Sequence, residues 1–280
     1  EAVFLLIYRG GGHPLFEAGF RREGYETVIV IAVIPARYES SRFPGKVLAK
    51  DTGKFLIQHT YERALLAKSI SKVMIAADDQ RVMDACKSFG APCVMTLPTH
   101  QSGTDRIAEA VRNINVDIVV NIQGDEPEID PANIDTVARL LIDNKSSVMA
   151  TLVAPLYDKN QIADPNIVKA VVGRDGNAIY FSRYPVPYNR DAKGIGHERD
   201  YLRHLGIYAY RKDFLMKITS LPQGKLEAIE KLEQLRVLEN GFSIKTATVV
   251  HTCDGIDTPQ QYAAFTARYN KNLQVSTEDL

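Results

Sequence analysis

The alternation of short apolar strands with amphipathic helices in the first half of the chain is the feature that most constrains the fold. Residues 27–34 read TVIVIAVI, a run of β-branched and apolar side chains typical of a strand buried on both faces of a parallel sheet. A helical period at 55–68, a second apolar strand at 72–77 and a helix at 79–89 follow. This order predicts a parallel sheet with right-handed helical crossovers.

The alternation continues to about residue 150 and then changes. The other elements predicted for the first half are strands at 92–96, 117–122 and 147–153 and helices at 104–112 and 131–144. The elements predicted for the second half are a hairpin of strands 167–172 and 178–182, strands at 202–210 and 243–250, one long helix at 225–240 and a closing helix at 258–270 capped by Thr258. The sequence therefore predicts an α/β protein with a mostly parallel, Rossmann-like sheet and a smaller mixed α+β segment.

These patterns also predict the boundaries of the chain's parts. We expect an α/β half at 26–150, a mixed segment at 151–245 and a return to the main sheet with a closing helix at 246–280. Residues 1–25 are interpreted as a disordered extension or an expression remnant, because a Gly-Gly-Gly break follows their short apolar stretch and they contain no A-x-A cleavage site.

Composition narrows the class of partner and the compartment. The chain has 34 basic and 34 acidic residues, so its charge balance does not favour nucleic acid or an anionic membrane as a partner. Its apolar runs fall short of the roughly 18–20 residues that span a bilayer. The three cysteines, without CxxC spacing, favour a reducing compartment, and we expect a cytoplasmic protein.

A cationic loop follows the first predicted strand. Residues 35–46 read PARYESSRFPGK and are called the phosphate loop below. Arg37 offers a guanidinium fork, and Lys46, after a Pro-Gly pair, offers a point charge for the β- and γ-phosphates of a nucleoside triphosphate. The alternative is a solvated basic surface loop, but ligands of open α/β sheets bind beyond the carboxyl ends of the strands, which favours the phosphate role.

Two more polar segments follow predicted strands. The acidic loop, residues 123–128, places Asp125 just past a strand end, where a carboxylate suits a magnesium ion, with Glu126 and Glu128 as alternatives. The base segment, residues 100–106, reads HQSGTDR and suits contacts to a base or ribose. Each segment also has a purely structural interpretation, an acidic turn in the first case and a helix N-cap in the second.

Candidates in the remaining sequence are weaker on local grounds. Asp257 stands at a helix start, where N-capping explains an Asp without a metal. Arg183, Arg203 and His204 suit an anionic substrate group, although a lone strand histidine favours a structural role. The acidic positions of the predicted helix 225–240, Glu233 among them, indicate a charged outer face.

Taken together, these segments resemble one family, the 3-deoxy-manno-octulosonate (Kdo) cytidylyltransferases. The matching motifs, in the family's order, are IPARYESSRFPGK (34–46), ADD (77–79), HQSGTDR (100–106), VVNIQGDEP (119–127), DPNIVKAVV (164–172), IYFSR (179–183), RHLGIYAYR (203–211), LEQLRVLENG (232–241) and GIDTP (255–259). The likeness covers residues 28–270. Val47 departs from the family pattern, which has proline after the PGK lysine.

The resemblance implies a fold, a reaction and a site. It implies the sheet of nucleotide-diphospho-sugar transferases and the reaction of CTP with Kdo to CMP-Kdo and pyrophosphate, with Mg²⁺, in lipopolysaccharide biosynthesis. The nucleotide-binding residues that it implies are Pro35, Ala36, Arg37, Lys46, His100, Ser102, Gly103 and Arg106. The implied magnesium ligands are Asp125 and Asp257, which with Arg37 and Lys46 form the implied catalytic set. The implied sugar-acid residues are Gln123, Arg183, His204, Tyr208, Glu233 and Gln234.

The family is expected to form homodimers through the mixed segment. Three alternatives stay open at the level of sequence: a cytidylyltransferase for a related sugar acid such as 8-amino-Kdo or a sialic acid, a catalytically silent nucleotide-binding protein, and a glycosyltransferase. The last class commonly carries D-x-D, where this chain has Gly124-Asp125-Glu126.

Overall fold

The computed structural model describes residues 5–7, 15–17, 28–40 and 42–278. The strands are β1 (Leu5–Ile7), β2 (Leu15–Glu17), β3 (Val30–Ala36), β4 (Lys72–Ala77), β5 (Cys93–Met95), β6 (Ile118–Asn121), β7 (Met149–Pro155), β8 (Lys169–Val172), β9 (Ala178–Ser182), β10 (Leu202–Arg211) and β11 (Ile244–Thr248). The α-helices are α1 (Leu56–Ala64), α2 (Gln80–Ser88), α3 (Gly103–Val111), α4 (Pro131–Ile142), α5 (Lys159–Ala163), α6 (Lys212–Ser220), α7 (Lys225–Glu230), α8 (Gln234–Glu239) and α9 (Pro259–Glu278).

The main sheet has the strand order β11-β7-β10-β6-β3-β4-β5. Neighbours along this path are parallel except at β10, which runs antiparallel to both β6 and β7. The β8–β9 hairpin joins the sheet through β10. The predicted α/β class, with a mostly parallel sheet and a mixed segment, is confirmed.

Both faces of the sheet are covered, as the continuous apolar run at β3 predicts. Val30, Ala32 and Ile34 belong to one core cluster, whereas Ile31 and Val33 belong to a second, and all five are at most 3% exposed. Successive side chains of a strand point to opposite faces, so an apolar residue at every position indicates helices on both sides.

The predicted long helix at 225–240 is wrong. The structure has two short helices, α7 and α8, separated at Lys231, which adopts a left-handed conformation with φ of 54°. The predicted charged outer face is wrong as well. Glu227 is buried and accepts hydrogen bonds from Arg236 Nε and Nη2 at 2.7 and 2.6 Å, whereas the apolar Ile229 is 67% exposed.

The prediction for the end of the chain can be compared with the structure, whereas most of the residues predicted as an N-terminal extension cannot. The closing helix begins as expected, with Thr258 Oγ1 accepting from Gln261 N at 3.2 Å, and it continues beyond the predicted end to Glu278. Near the start, β1 and β2 pair antiparallel, while the other residues of the predicted 1–25 extension lie outside the described part. Within the described residues, no helix combines the length and the apolar character needed to cross a membrane.

Candidate active site

The phosphate loop and the acidic loop meet because they follow neighbouring parallel strands. β3 ends at Pro35 and Ala36, and β6, its direct neighbour, leads into the acidic loop. The approach is close: a Cβ added at Gly124 would lie 2.9 Å from the carbonyl oxygen of Pro35. A side chain at this position would force the two loops apart, so glycine is required for the contact.

Lys46 lies at the centre of the site. Its ammonium Nζ is 2.6 Å from Asp125 Oδ2, 3.1 Å from Asp257 Oδ1 and 2.8 Å from the carbonyl oxygen of Ile256. The side chain of Lys46 is only 12% exposed, whereas those of Asp125 and Asp257 are 27% and 41% exposed. The structure thus brings together two carboxylates from loops 132 positions apart around one cation of the phosphate loop.

A turn at Gly45 sets the direction of Lys46. Gly45 has φ of 68°, and its amide donates to the carbonyl oxygen of Tyr38 at 3.1 Å. A second cation from the same loop reaches the carboxylate pair, since Arg42 Nη2 is 2.8 Å from Asp257 Oδ2. Asp257 therefore pairs with two basic residues, and its predicted N-cap role is taken by Thr258.

The base segment lies against the phosphate loop. Arg37 Nη2 donates to the carbonyl oxygen of Gln101 at 2.8 Å, and a Cβ at Gly103 would lie 3.3 Å from Pro35 Cγ. Ser102 caps α3 by accepting from Asp105 N at 3.1 Å, which confirms the predicted cap. The caps and contacts hold the start of α3 beside the end of β3, where backbone N–H groups of a helix start favour anionic or polar ligand atoms.

Two predicted site residues of the base segment, His100 and Arg106, pair with other side chains of the protein. His100 Nε2 pairs with Glu109 Oε2. Arg106 is fully buried, donates to Thr96 Oγ1 at 2.7 Å and pairs with Asp78 Oδ2 at 3.1 Å. Burial lowers the pKa of its guanidinium. In this structure Arg106 acts on the phosphate loop through Asp78, whose other oxygen accepts from Tyr38 N at 2.9 Å, so a direct contact of Arg106 with cytidine stays a prediction.

β10 passes over the acidic loop and carries two of the predicted sugar-acid residues, His204 and Tyr208. Gln123 Nε2 donates to the carbonyl oxygen of Gly206 at 2.9 Å, which ties the two segments together. His204 Nε2 lies 3.0 Å from Thr151 Oγ1, and its ring lies 4.9 Å from that of Phe181. Desolvation by the surrounding protein lowers the pKa of His204 to about 3, so its imidazole is neutral at physiological pH.

Tyr208 and Glu233 lie in the same buried region as His204. Burial, followed by the nearby Glu233 carboxylate, raises the pKa of the Tyr208 hydroxyl. Burial likewise raises the pKa of Glu233, which accepts from Ser102 Oγ at 3.4 Å and so links the sugar residues to the base segment. Gln234 follows at the first position of α8 and is buried.

The break between α7 and α8 holds Arg183. Helix ends leave carbonyl groups without intrahelical partners, and Arg183 Nε donates to the carbonyl oxygen of Glu230 at 2.7 Å. Its Nη1 donates to the carbonyl oxygen of Pro165 at 2.9 Å. The carboxylate of Glu230 accepts from Ser182 Oγ at 2.7 Å and from Arg183 N at 2.9 Å. The guanidinium is therefore fixed by the backbone rather than by an acidic partner.

The donor set suits a hard cation. Asp125 and Asp257 supply carboxylate oxygens, and magnesium takes one or two carboxylates with substrate phosphate oxygens completing its shell. The acidic alternatives are less suitable: burial and then the neighbouring Asp125 raise the pKa of Glu126 to about 8, and Glu128 pairs with Arg268. Among the residues that the structure describes, no three His, Cys, Asp or Glu side chains converge as a metal site on their own.

Sequence analysis missed several residues that organise this site. Asp78, Thr151 and Glu230 contact site residues 28 to 53 positions away. The only local signal was the ADD motif at 77–79, which contains Asp78.

The fold and this site define a nucleotide-binding enzyme of the α/β class, and comparison with known proteins gives its family. The family model described as cytidylyltransferase matches residues 31–246. The 3-deoxy-manno-octulosonate cytidylyltransferase of Solibacter usitatus is 48% identical over 231 residues, which are 82% of this chain and 90% of the relative. That of Syntrophotalea carbinolica is 45% identical over 236 residues, covering 82% and 94%. The chain belongs to the cytidylyltransferase family, among the 3-deoxy-manno-octulosonate cytidylyltransferases.

Solved structures agree with this family. A CMP:2-keto-3-deoxy-manno-octonic acid synthetase complexed with CTP matches with a TM-score of 0.82 at 42% identity, covering 87% of this chain and 99% of that one. A cytidylyltransferase from Leptospira borgpetersenii matches with a TM-score of 0.56 at 17% identity, covering 90% and 95%, and shows the shared fold alone. The resemblance predicted from the motifs is confirmed.

Proposed function

We propose that this protein activates 3-deoxy-manno-octulosonate with CTP, giving CMP-3-deoxy-manno-octulosonate and pyrophosphate for lipopolysaccharide biosynthesis. The observation that carries the proposal is the contact of Lys46 with Asp125 and Asp257 at the carboxyl ends of β3 and β6. A phosphate-binding cation and two oxygen ligands for a metal lie there within one group of contacts. This is the arrangement that transfer of a nucleotidyl group needs.

In the proposed mechanism the protein aligns the substrates and neutralises charge. The base segment and the backbone of Pro35 and Ala36 bind the nucleoside, and Arg37 and Lys46 bind the triphosphate. The anomeric hydroxyl of the sugar acid attacks the α-phosphorus, and pyrophosphate leaves in line, its charge stabilised by the Lys46 ammonium and the Arg37 guanidinium. Asp125 and Asp257 would hold magnesium, which supplies Lewis-acid polarisation of the phosphate and lowers the pKa of the attacking hydroxyl.

The sugar-acid residues orient the nucleophile. Arg183 offers a guanidinium for the sugar's carboxylate, and neutral His204 and Tyr208 with Gln123 offer hydrogen bonds to its hydroxyls. Glu233 and Gln234 extend this set from the α7–α8 break. A pocket built from fixed hydrogen-bonding groups discriminates strongly against a substrate that leaves one of them unpaired.

The test is release of pyrophosphate from CTP with a panel of keto sugar acids in magnesium buffer. We expect release with 3-deoxy-manno-octulosonate and little with a sialic acid or with ATP in place of CTP. Release only with 8-amino-3-deoxy-manno-octulosonate or a sialic acid would change the substrate assignment. No release with any of these acids would overturn the proposed function.

We also propose that the protein is cytoplasmic and forms a homodimer. The mixed segment exposes large apolar side chains: Ile179 is 62%, Tyr184 72% and Ile229 67% exposed. The hydrogen bond of Arg183 Nε to Glu230 O joins the end of β9 to the end of α7, so these residues belong to one region. Exposed apolar groups gathered in this way favour burial against a second copy. Light scattering at assay concentrations measures the oligomeric state.

A further inference from the structure

Two cations of the phosphate loop contact the carboxylates that the proposed function assigns to a metal. Lys46 Nζ contacts Asp125 Oδ2 at 2.6 Å and Asp257 Oδ1 at 3.1 Å, and Arg42 Nη2 contacts Asp257 Oδ2 at 2.8 Å. These contacts use both oxygens of Asp257 and one of Asp125. A divalent cation bound to the pair would need at least one oxygen of Asp257 that already has a basic partner.

The charges balance in each arrangement. Asp125 and Asp257 carry two negative charges, which Lys46 and Arg42 neutralise here and which one divalent cation would neutralise equally well. A nucleoside triphosphate adds about four negative charges, and Lys and Arg are the side chains that bind phosphate. If the triphosphate attracts Lys46 and Arg42, the two carboxylates become available to the metal, and neither carboxylate is left without a cationic partner.

We propose that Lys46 and Arg42 are exchangeable counter-ions that keep a divalent cation off Asp125 and Asp257 until a nucleoside triphosphate attracts both of them. The proposal rests on the proposed function, since it takes Asp125 and Asp257 as the metal ligands. It makes the binding of metal and of nucleotide cooperative, because each ligand is favoured when the other has removed the internal ion pairs. It also assigns Arg42 as a further triphosphate-binding residue.

The two cations contribute unequally. Lys46 is 12% exposed and touches both carboxylates, so its interaction is less screened by solvent, and breaking it without a substitute leaves a largely buried ammonium unpaired. Arg42 is 62% exposed and touches only Asp257, and exposed ion pairs contribute little. The flexible stem of Lys46 allows its ammonium to move from carboxylate to phosphate without a change in the backbone.

The test measures Mn²⁺ binding to the full chain without nucleotide or sugar acid, by the electron paramagnetic resonance signal of free Mn²⁺. We expect Lys46→Met to bind Mn²⁺ about tenfold more tightly than the wild type, because a competing charge has been removed. Arg42→Gln should bind about two- to threefold more tightly. Lys50→Met is the matched control, since Lys50 lies near the same loop over the ring of Phe55 and should leave the affinity unchanged.

Adding CTP provides the second half of the test. In the wild type CTP should raise the affinity for Mn²⁺, and in Lys46→Met this increase should be smaller because only Arg42 is left to be displaced from the carboxylates. The double variant Asp125→Asn/Lys46→Met should lose the tight Mn²⁺ site. A folded Lys46→Met protein with wild-type Mn²⁺ affinity overturns the proposal, and so does tight binding that persists in the double variant.

If Lys46→Met does not fold, Arg42→Gln provides the test, because replacing an exposed side chain should leave the fold intact. An unchanged Mn²⁺ affinity in Arg42→Gln would then overturn the proposal. Failure of the counter-ion proposal can be distinguished from failure of the proposed function. If the wild type releases pyrophosphate but the variants bind Mn²⁺ as the wild type does, only the counter-ion exchange is contradicted. If Mn²⁺ and CTP bind cooperatively but no sugar acid is turned over, only the assigned reaction is contradicted.

Discussion

At the ends of β3 and β6 the site residues are charged and pair with one another, whereas along β10 and the α7–α8 break they are buried, neutral or bonded to the backbone. Lys46, Asp125 and Asp257 form the first region. In the second, His204 has a pKa of about 3, and Arg183 donates to carbonyl oxygens rather than to a carboxylate.

The proposed function and the proposed exchange of counter-ions would account for this difference. A triphosphate and a metal bring large charges, and ion pairs that exchange partners neutralise them. A sugar acid brings one carboxylate and several hydroxyls, and groups fixed in advance recognise those with less loss of conformational entropy on binding. Removing a residue from the first region should therefore affect turnover most, and removing one from the second should affect substrate affinity or pocket stability.

The largest effect is expected for Asp125→Asn. Loss of a metal carboxylate should lower kcat for pyrophosphate release about 100-fold or more. The matched control is Glu128→Gln in the same acidic loop, whose side chain pairs with Arg268 at the surface, and its rate should stay within about twofold. Near wild-type turnover of Asp125→Asn would remove Asp125 from the catalytic residues.

A smaller and more selective effect is expected for Arg183→Gln. The KM for the sugar acid should rise about tenfold, because a charge-assisted hydrogen bond to its carboxylate is lost, while the KM for CTP stays within twofold. Arg174→Gln is the control, since Arg174 is an exposed turn residue between β8 and β9. Equal changes in both KM values would mean that Arg183 supports the whole site and does not recognise the sugar acid.

The smallest effect concerns the pH dependence of stability at His204. Its pKa of about 3 lies below that of an unfolded histidine, so the unfolded chain binds more protons between these values and stability is lost as the pH falls below about 6.5. Between pH 6.5 and 5.5, His204→Gln should lose about 1 kcal/mol less unfolding free energy than the wild type.

Urea unfolding at the two pH values measures this difference. His251→Gln, at an exposed position, is the control and should follow the wild type. If His204→Gln also follows the wild type, the imidazole is not kept neutral by burial, and the contrast between the two regions of the site weakens.

Sequence alone predicted the sheet better than the contacts made across it. β4 and β9 begin and end where their apolar runs predict, and at β4 the reason is that a strand buried on both faces leaves a continuous local pattern. The predicted helix at 225–240 failed because its break at Lys231 goes with a contact from a distant part of the sequence, in which Arg183 donates to Glu230 O, and with the pairing of Glu227 and Arg236 across the break. No local period reports such interactions.

The site shows the same division. The motifs located the phosphate loop, the base segment and the acidic loop in the correct places on the sheet, and the structure brings all three together. The motifs did not indicate that Arg106 would be buried against Asp78, or that Lys46 would pair with both Asp125 and Asp257. Those contacts depend on side chains that lie far apart in the sequence.

The reversed direction of β10 has a consequence for how the substrate range of such a protein can change. β10 pairs with β6 only from Tyr208 onward, so its earlier residues extend past the end of β6 and over the acidic loop, where Gln123 meets Gly206. A parallel strand would offer that edge only its last residue or the loop after it. Substitutions in the short stretch of β10 before Tyr208 could therefore fit the site to another sugar-acid acceptor while the nucleotide-binding residues stay unchanged.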